Sequence, residues 1–339
     1  MDRGNPRELR SSTDSRAPIE KLPVELLHKI FFQSLEFNLP RASIHLAVAL
    51  SNEVIYTWLI RLAFSSTNPS SSSGIFTHPF LPMGYFSVDI NRRSDLQTEI
   101  LKCRWCTVSL IRKCQREYVE HVIRQKCKDL IMSADDRAQL DNLDPFWQTM
   151  DRLNDATHGR RGKGDLIISA KHPQTGTNLK VAIWFNFGAV QIREFSPIFQ
   201  ETDVFRLPCC SASEPCRMPD RLLRPPWTEE KYELLALLSN EAYIDEDNNF
   251  DRSKAVLREL IADRDFETFK RLLALHIRVK VYSYPLRWPV RPNHFRAAAR
   301  YAQSDRNDPF LALLFSEHRD EIPSTDRSIR ALLEKYDRT

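Results

Sequence analysis

The stretch KLPVELLHKIFFQSLEFNLP, Lys21 to Pro40, decides how the N-terminal part of the chain folds. Pro23 suits the first helical turn, where a backbone donor has no intrahelical partner. Glu25 follows it, at the positive end of the helix dipole. The apolar residues cover more than one narrow stripe: Leu26, Leu27, Ile30, Phe31 and Leu35. This breadth predicts a helix that packs on its own core with one side and contacts another protein with the other.

Two further short helices are predicted directly after this stretch. PRASIHLAVAL, Pro40 to Leu50, forms the second, and NEVIYTWLIRLAF, Asn52 to Phe64, forms the third. Ser51 or Asn52 can cap the third helix. A unit of under roughly fifty residues is too small to bury its surface alone. It therefore needs the rest of the chain or a partner.

The segment LPVELLHKIFFQSL resembles the opening of the F-box, in which Leu-Pro-x-Glu is followed by apolar residues at helical spacing. F-box units dock on the Skp-family adaptor of Skp–cullin–F-box ubiquitin ligases. The resemblance implies that this chain is a substrate receptor that binds the Skp-family adaptor and the cullin ligase core, together with an unknown protein substrate. The longer pattern FNLPRASIHLAVALSNEVIY, with ILKCRWCT further on, looks like F-box-like proteins of filamentous fungi. The residues that the resemblance assigns to adaptor binding are Leu22, Pro23, Leu26, Leu27, Ile30, Phe31 and Leu35.

Beyond this unit, changes in composition predict a succession of segments. The predicted segments are a disordered tail (1–17), the F-box-like helical unit (18–64), a Ser/Pro-rich linker with an irregular loop (65–93), a helical segment starting at the cap Ser94–Asp95 (94–155), an antiparallel β-meander (156–208), a Pro/Cys-rich loop (209–226) and ankyrin-like helical hairpins (227–339). The fold class is therefore mainly α with a small antiparallel β-meander, that is, α+β.

The predicted meander contains three β-rich runs, DLIISAK, LKVAIWF and AVQIREF, with DVFRL as a possible fourth strand. His172 to Thr177 and Asn186 to Gly188 supply turn residues between the first three.

The C-terminal helices show a degenerate repeat. Phe266 and Phe269 are echoed by Phe310, each in the second helix of a predicted hairpin, and NHFRAAAR is similar to the first helix of an ankyrin repeat. A Pro- and aromatic-rich insertion, Val279 to Pro292, separates the hairpins. Its rings, Tyr282, Tyr284 and Trp288, are either a substrate contact or a cover folded back over the hairpins.

Several sequence features argue against catalysis or metal binding. With eight glycines the chain has little material for a phosphate cradle, and no metal array appears among its nine histidines. Cys103-Arg104-Trp105-Cys106 is only half of a zinc site, because the other cysteines have the wrong spacing. His294 is expected to pack at a helix start. We therefore predict no catalytic residue, no metal and no cofactor.

The net charge of +4 is small for 339 residues and does not favour nucleic-acid binding. His158 to Gly164 is either a phosphate or nucleic-acid contact or, as we favour, a solvated loop. We find no signal peptide and no apolar run long enough for a membrane span. Together with seven cysteines, these features predict reduced thiols in the cytoplasm or nucleus. The function predicted is that of a non-enzymatic ligase adaptor; the alternative is an ankyrin-like interaction scaffold whose N-terminal helix is only structural.

Overall fold

The computed structural model describes residues 17–66, 89–149, 164–195, 204–302, 308–323 and 325–337. These residues group into two compact units, one holding 17–56 and the other holding the described residues from 57 onward. The expected α+β class is confirmed, because helices dominate and one small sheet is wholly antiparallel. The finer predicted boundaries stay predictions.

The first unit is helical. Its elements are 3₁₀ turns at Pro18–Lys21 and Leu39–Arg41, helices α1 (Val24–Ser34) and α2 (Ile44–Leu50), and the first residues of α3 (Glu53–Phe64). Helix α1 begins directly after Pro23 and ends at Leu35, which adopts a left-handed conformation with φ 51°. The N–H of Leu35 donates to the carbonyl oxygen of Phe31 at 2.7 Å, which satisfies one of the last helical carbonyls. The predicted first helix is therefore present.

Most of the second unit is helical as well. After α3 its helices are α4 (Ile90–Lys102), α5 (Val108–Lys126), α6 (Ala134–Asp141), α7 (Asp144–Thr149), α8 (Glu229–Leu238), α9 (Asp251–Ala262), α10 (Phe266–Leu273), α11 (Pro292–Tyr301), α12 (Pro309–Glu317) and α13 (Arg327–Asp337). The predicted cap at Ser94–Asp95 was wrong, since both residues lie inside α4. Asp89 caps this helix instead, and its carboxylate accepts the Asn91 N–H at 3.0 Å.

The predicted meander is confirmed and has four strands. They are β1 (Leu166–Lys171), β2 (Asn178–Trp184), β3 (Ala189–Glu194) and β4 (Val204–Arg206), paired antiparallel in sequence order. Strand β1 alternates buried and exposed residues, as expected of a strand with one covered face. The last four residues of β2 are all buried, so this strand is covered on both faces there.

The turn between β2 and β3 is fixed against α5. Gly188 has φ 55°, and a Cβ added there would lie 2.5 Å from the carbonyl oxygen of Leu207 and 2.7 Å from Cγ of Gln115. Only glycine combines this conformation with so close an approach. Arg112, also on α5, donates to the carbonyl oxygen of Asn186 at 2.6 Å. The sheet is thus held on one long helix.

A second, three-stranded sheet was not predicted. Its strands are β5 (Tyr243–Asp245), β6 (His276–Val279) and β7 (Leu286–Arg287), with β5 parallel to β6 and β6 antiparallel to β7. The helix predicted to reach His276 ends at Leu273, and part of the predicted insertion forms β7. The parallel pairing of Tyr243 with Arg278 joins residues far apart in sequence, so no local pattern indicates it.

Two helical hairpins, α9–α10 and α11–α12, pack side by side, with α9 against α11 and α10 against α12. The Phe310 ring lies 5.2 Å from the ring of Phe266 and 5.1 Å from that of Phe269. Arg264 lies in the turn between α9 and α10 and has φ 60°. It forms an ion pair with Asp308, and its guanidinium lies 4.7 Å from the centre of the Phe310 ring. The echoed phenylalanines therefore form one cluster that joins the two hairpins.

Several predictions lie outside the described residues, apart from one or two residues at their ends. They are the disordered tail, the Ser-rich linker (65–74), the irregular loop that follows it (75–86) and the basic segment His158 to Gly164.

Candidate docking surface

Helix α1 keeps aliphatic side chains exposed. Leu26 is 46% exposed and Ile30 is 39% exposed, and the i, i+4 spacing puts both on the same face of the helix. We call this pair the α1 apolar face. Val24, at the start of the helix, is exposed as well. These are the residue types that a partner buries, and two of them were predicted as partner contacts.

Other predicted contact residues are buried. Leu27 is 4% exposed and Phe31 is 2% exposed, so neither can be the primary contact with a partner. The Phe31 ring lies 5.9 Å from that of Phe32 and 6.1 Å from that of Phe37, nearly edge-on to the latter. The interpretation of Leu27 and Phe31 as direct contacts is thus corrected: these side chains hold α1 in place because they complete the packing beneath it.

The remaining predicted residues lie at the two ends of α1. Pro23 is exposed, whereas Leu22 and Leu35 are half-buried. His28, between the two faces, donates from Nε2 to the carbonyl oxygen of Ala49 at 2.9 Å and so ties α1 to the C-terminal end of α2. The structure therefore brings Pro23, Leu26 and Ile30 to the surface of one short helix.

Helix α2 contributes exposed residues that the sequence analysis missed. Ile44 and Val48 are each 76% exposed, and their i, i+4 spacing defines what we call the α2 apolar face. Leu46 and Leu50 on the same helix are buried. The signal was present in the sequence, because SIHLAVAL contains two aliphatic pairs at helical spacing that point in different directions.

The aromatic insertion is divided between surface and core. Tyr284 is exposed and Tyr282 is half-buried, with their ring centroids 6.0 Å apart. Trp288 is 1% exposed, and its Nε1–H donates to the carbonyl oxygen of Ser253 at 3.2 Å. Of the two alternatives for Trp288, burial contradicts the substrate contact and favours a ring folded back into the unit. Its indole satisfies its one donor inside the unit, as buried tryptophans generally do.

His294 lies at the start of α11, where a packing role was expected. Its Nδ1 accepts the Arg291 N–H at 3.0 Å, and its Nε2 donates to the carbonyl oxygen of Lys254 at 3.1 Å. Burial lowers the pKa of His294 to about 4, and the nearby cations Lys254, Arg258 and Arg291 lower it further. The ring is therefore neutral and joins two helices rather than binding a ligand.

The cysteines do not form a metal centre in the part of the chain that the structure describes. Among those residues no group of three or more His, Cys, Asp or Glu side chains could hold a metal ion. The C-x-x-C pair that was not expected to bind zinc, Cys103 and Cys106, lies in the turn between α4 and α5. Burial raises the pKa of Cys106 to about 12, which keeps it a thiol at neutral pH.

A polar cavity of about 240 Å³ opens beside α5. It is smaller than typical small-molecule pockets, which begin at about 300 Å³ and are mostly apolar. Three of its charged side chains are already in ion pairs, since Arg61 pairs with Glu117 and Glu120 pairs with Arg116. The cavity therefore offers a poorer site than the exposed helices of the first unit.

No family model, no curated protein and no solved structure matches this chain. Within the described ranges no single helix is long and apolar enough to cross a membrane. Helices α2 and α3 taken together, bent by 66° at their junction, do reach that length and composition.

Proposed function

We propose that this chain is a non-enzymatic substrate receptor of a Skp–cullin–F-box ubiquitin ligase, and that its N-terminal helices bind a Skp-family adaptor. The observation that carries the proposal is the α1 apolar face. Leu26 and Ile30 occupy motif positions of the F-box-like segment and remain exposed. An aliphatic side chain that is already half-buried gains about 1 kcal/mol when a partner covers the rest.

The distribution of exposed apolar residues supports a docking role for this unit. Among the described residues, large exposed hydrophobic side chains number thirteen, and six of them fall between residues 24 and 54. The six are Val24, Leu26, Ile30, Ile44, Val48 and Val54. The others are spread along the chain from residue 90 to residue 301. Because scattered surface hydrophobics are ordinary, it is this concentration in one short unit that favours an interface.

The second unit would then present the protein substrate. The side-by-side packing of α9 with α11 and α10 with α12 supports a repeat-like, ankyrin-like arrangement of the hairpins. Tyr284 and its neighbour Tyr282 remain candidate contacts, since exposed tyrosines are effective anchors. No catalytic residue, cofactor, nucleic acid or membrane enters this proposal.

The alternative is an ankyrin-like interaction scaffold in which α1 is purely structural. The buried positions of Leu27 and Phe31 favour it, because they show that part of the motif is used for internal packing. The two proposals differ in what Leu26 and Ile30 do. In the scaffold they are surface residues without a role.

The test is binding of the full chain to a purified Skp-family adaptor, measured by calorimetry or interferometry. Leu26→Asp and Ile30→Asp should each weaken binding by at least about tenfold, because a charge would be buried in an apolar contact. The matched control is Val281→Asp, which places the same charge on an exposed aliphatic residue of the other unit. It should bind as the unaltered chain does.

Circular dichroism and thermal melting establish that each variant is folded. If folded Leu26→Asp and Ile30→Asp bind the adaptor with unchanged affinity, the adaptor proposal fails and the scaffold remains. If the unaltered chain shows no binding to the adaptor at micromolar concentration, the adaptor proposal fails as well.

A further inference from the structure

Two buried thiols of the loop between β4 and α8 are in contact. Sγ of Cys210 lies 3.4 Å from Sγ of Cys216, and both residues are buried. A disulfide has its sulfur atoms about 2.05 Å apart, so the two sulfurs need to approach by only about 1.4 Å. Neither residue contributes to the docking surface or to the hairpin cluster.

Hydrogen bonds hold both cysteines in this position. The N–H of Cys210 donates to Oε2 of Glu241 at 2.9 Å, and the carbonyl oxygen of Cys216 accepts the Tyr243 N–H at 2.8 Å. Between them, Ser94 Oγ donates to the carbonyl oxygen of Pro215 at 3.1 Å. The backbone that carries the two thiols is therefore fixed to α4, to β5 and to Glu241, which lies two residues before β5.

A buried charge reinforces this arrangement. Glu241 also pairs with Arg206 at 2.9 Å, and its side chain is almost completely buried. Arg278 donates to the carbonyl oxygen of Ala212 in the middle of the loop. Because breaking a buried pair leaves an uncompensated charge, the loop resists displacement. The ion pair and the hydrogen bonds therefore hold the loop in the position that brings the two thiols together.

We propose that Cys210 and Cys216 are a modification site, a thiol pair that a peroxide oxidises reversibly to an intrachain disulfide. One thiol of the pair loses its proton and its sulfur attacks one oxygen of hydrogen peroxide; the O–O bond breaks, hydroxide leaves and takes up that proton as water, and the attacking cysteine becomes a sulfenic acid. The sulfur of the other cysteine then attacks the sulfenic sulfur, and the second oxygen leaves as water with the second thiol proton. Two thiols are oxidised, one peroxide is reduced and two waters form.

Two physical features set the rate and the consequence. The hydrogen bond to Cys216 and burial raise the pKa of the Cys210 thiol, so the oxidation is slow at neutral pH and accelerates as pH rises. The closed ring is short, and it fixes a loop that bonds to α4 and β5. We expect oxidation to slow amide hydrogen exchange in residues 210–218.

The experiment treats the folded full chain with hydrogen peroxide, quenches with acid, and alkylates remaining thiols with N-ethylmaleimide in urea. Dithiothreitol and iodoacetamide then label only the cysteines that were in a disulfide. Trypsin releases LPCCSASEPCR, residues 207–217, and fragment spectra show which label each cysteine carries. The matched variants are Cys216→Ser, which removes one partner, and Cys209→Ser, which removes the adjacent thiol.

We expect Cys210 and Cys216 to carry iodoacetamide and Cys209 to carry N-ethylmaleimide. The intact mass of the oxidised chain should be lower by two hydrogens. Cys209→Ser should behave in the same way, and Cys216→Ser should lose the disulfide. The unaltered chain decides the question even if a variant does not fold. The proposal is overturned if Cys210 and Cys216 carry N-ethylmaleimide after complete consumption of peroxide. It is also overturned if the disulfide uses Cys209.

Discussion

The N-terminal helices and the C-terminal hairpins are both built from short amphipathic helices, but they treat their apolar side chains differently. In the hairpins four phenylalanine rings are buried, those of Phe269, Phe295, Phe310 and Phe315, while Tyr301 at the end of α11 is 42% exposed. In the first unit α1 and α2 each leave an aliphatic pair at i, i+4 exposed. The hairpin helices thus complete one another's packing within the chain. The N-terminal helices bury part of their apolar surface and leave these pairs uncovered, and this difference supports the proposal that the first unit binds a partner.

The largest effect is expected where the hairpins meet. Phe310→Ala removes a buried ring that contacts Phe266, Phe269 and the Arg264 guanidinium, and leaves a cavity. We expect the free energy of unfolding of the second unit to fall by about 3–5 kcal/mol, as measured by urea denaturation. Tyr284→Ala is the control, since this exposed ring should cost less than about 1 kcal/mol. Equal effects would show that Phe310 is not central to the packing.

The next effect depends on pH. His294 has a folded-state pKa of about 4, compared with an ordinary value of 6.5. Because the unfolded chain binds the proton first, this residue's contribution to stability is complete above pH 6.5 and is lost as pH falls towards 4. Its loss amounts to about 3 kcal/mol at pH 4. Denaturation of the unaltered chain and of His294→Asn at pH 7 and pH 4.5 measures it.

His294→Asn keeps an acceptor near the position of Nδ1 but cannot titrate in this range. The variant should therefore lose less stability than the unaltered chain over the same pH interval, and His318, whose pKa burial also lowers, acts equally in both proteins. If both proteins lose stability in parallel, the neutral His294 ring does not link the hairpin helices as inferred.

Elements with a local signal could be predicted from the sequence. Helix α1 follows from Pro23 and the helical spacing after it, and the meander follows from β-rich runs separated by turn residues. The second sheet could not be predicted, because β6 is short and its pairing partner, β5, lies more than thirty residues earlier in the chain. The strand propensity of four residues does not indicate that they pair with a strand so far away in the sequence.

The candidate site, too, has a part that could be predicted from the sequence and a part that could not. The sequence indicated that α1 is apolar over a wide arc, but which residues of that arc are exposed depends on what packs beneath them. Leu26 and Leu27 have the same chemistry and adjacent positions, yet only Leu27 is buried. The burial of Trp288 could not be predicted either, since it depends on an acceptor at Ser253, on helix α9, 35 residues earlier in the chain.

The smallest expected effect on stability distinguishes Leu26 from Leu27. Leu26→Ala should change the free energy of unfolding by no more than about 0.5 kcal/mol, because the side chain is exposed and alanine is a good helix former. Leu27→Ala is the matched control and should cost about 2–5 kcal/mol, because it opens a cavity beneath α1. Hydrogen exchange of the α1 amides measures both. If Leu26→Ala destabilises α1 as much as Leu27→Ala does, then Leu26 supports the unit's own packing and the contrast between the two regions disappears. If it leaves α1 intact but weakens binding to the Skp-family adaptor, the exposed face serves the partner alone.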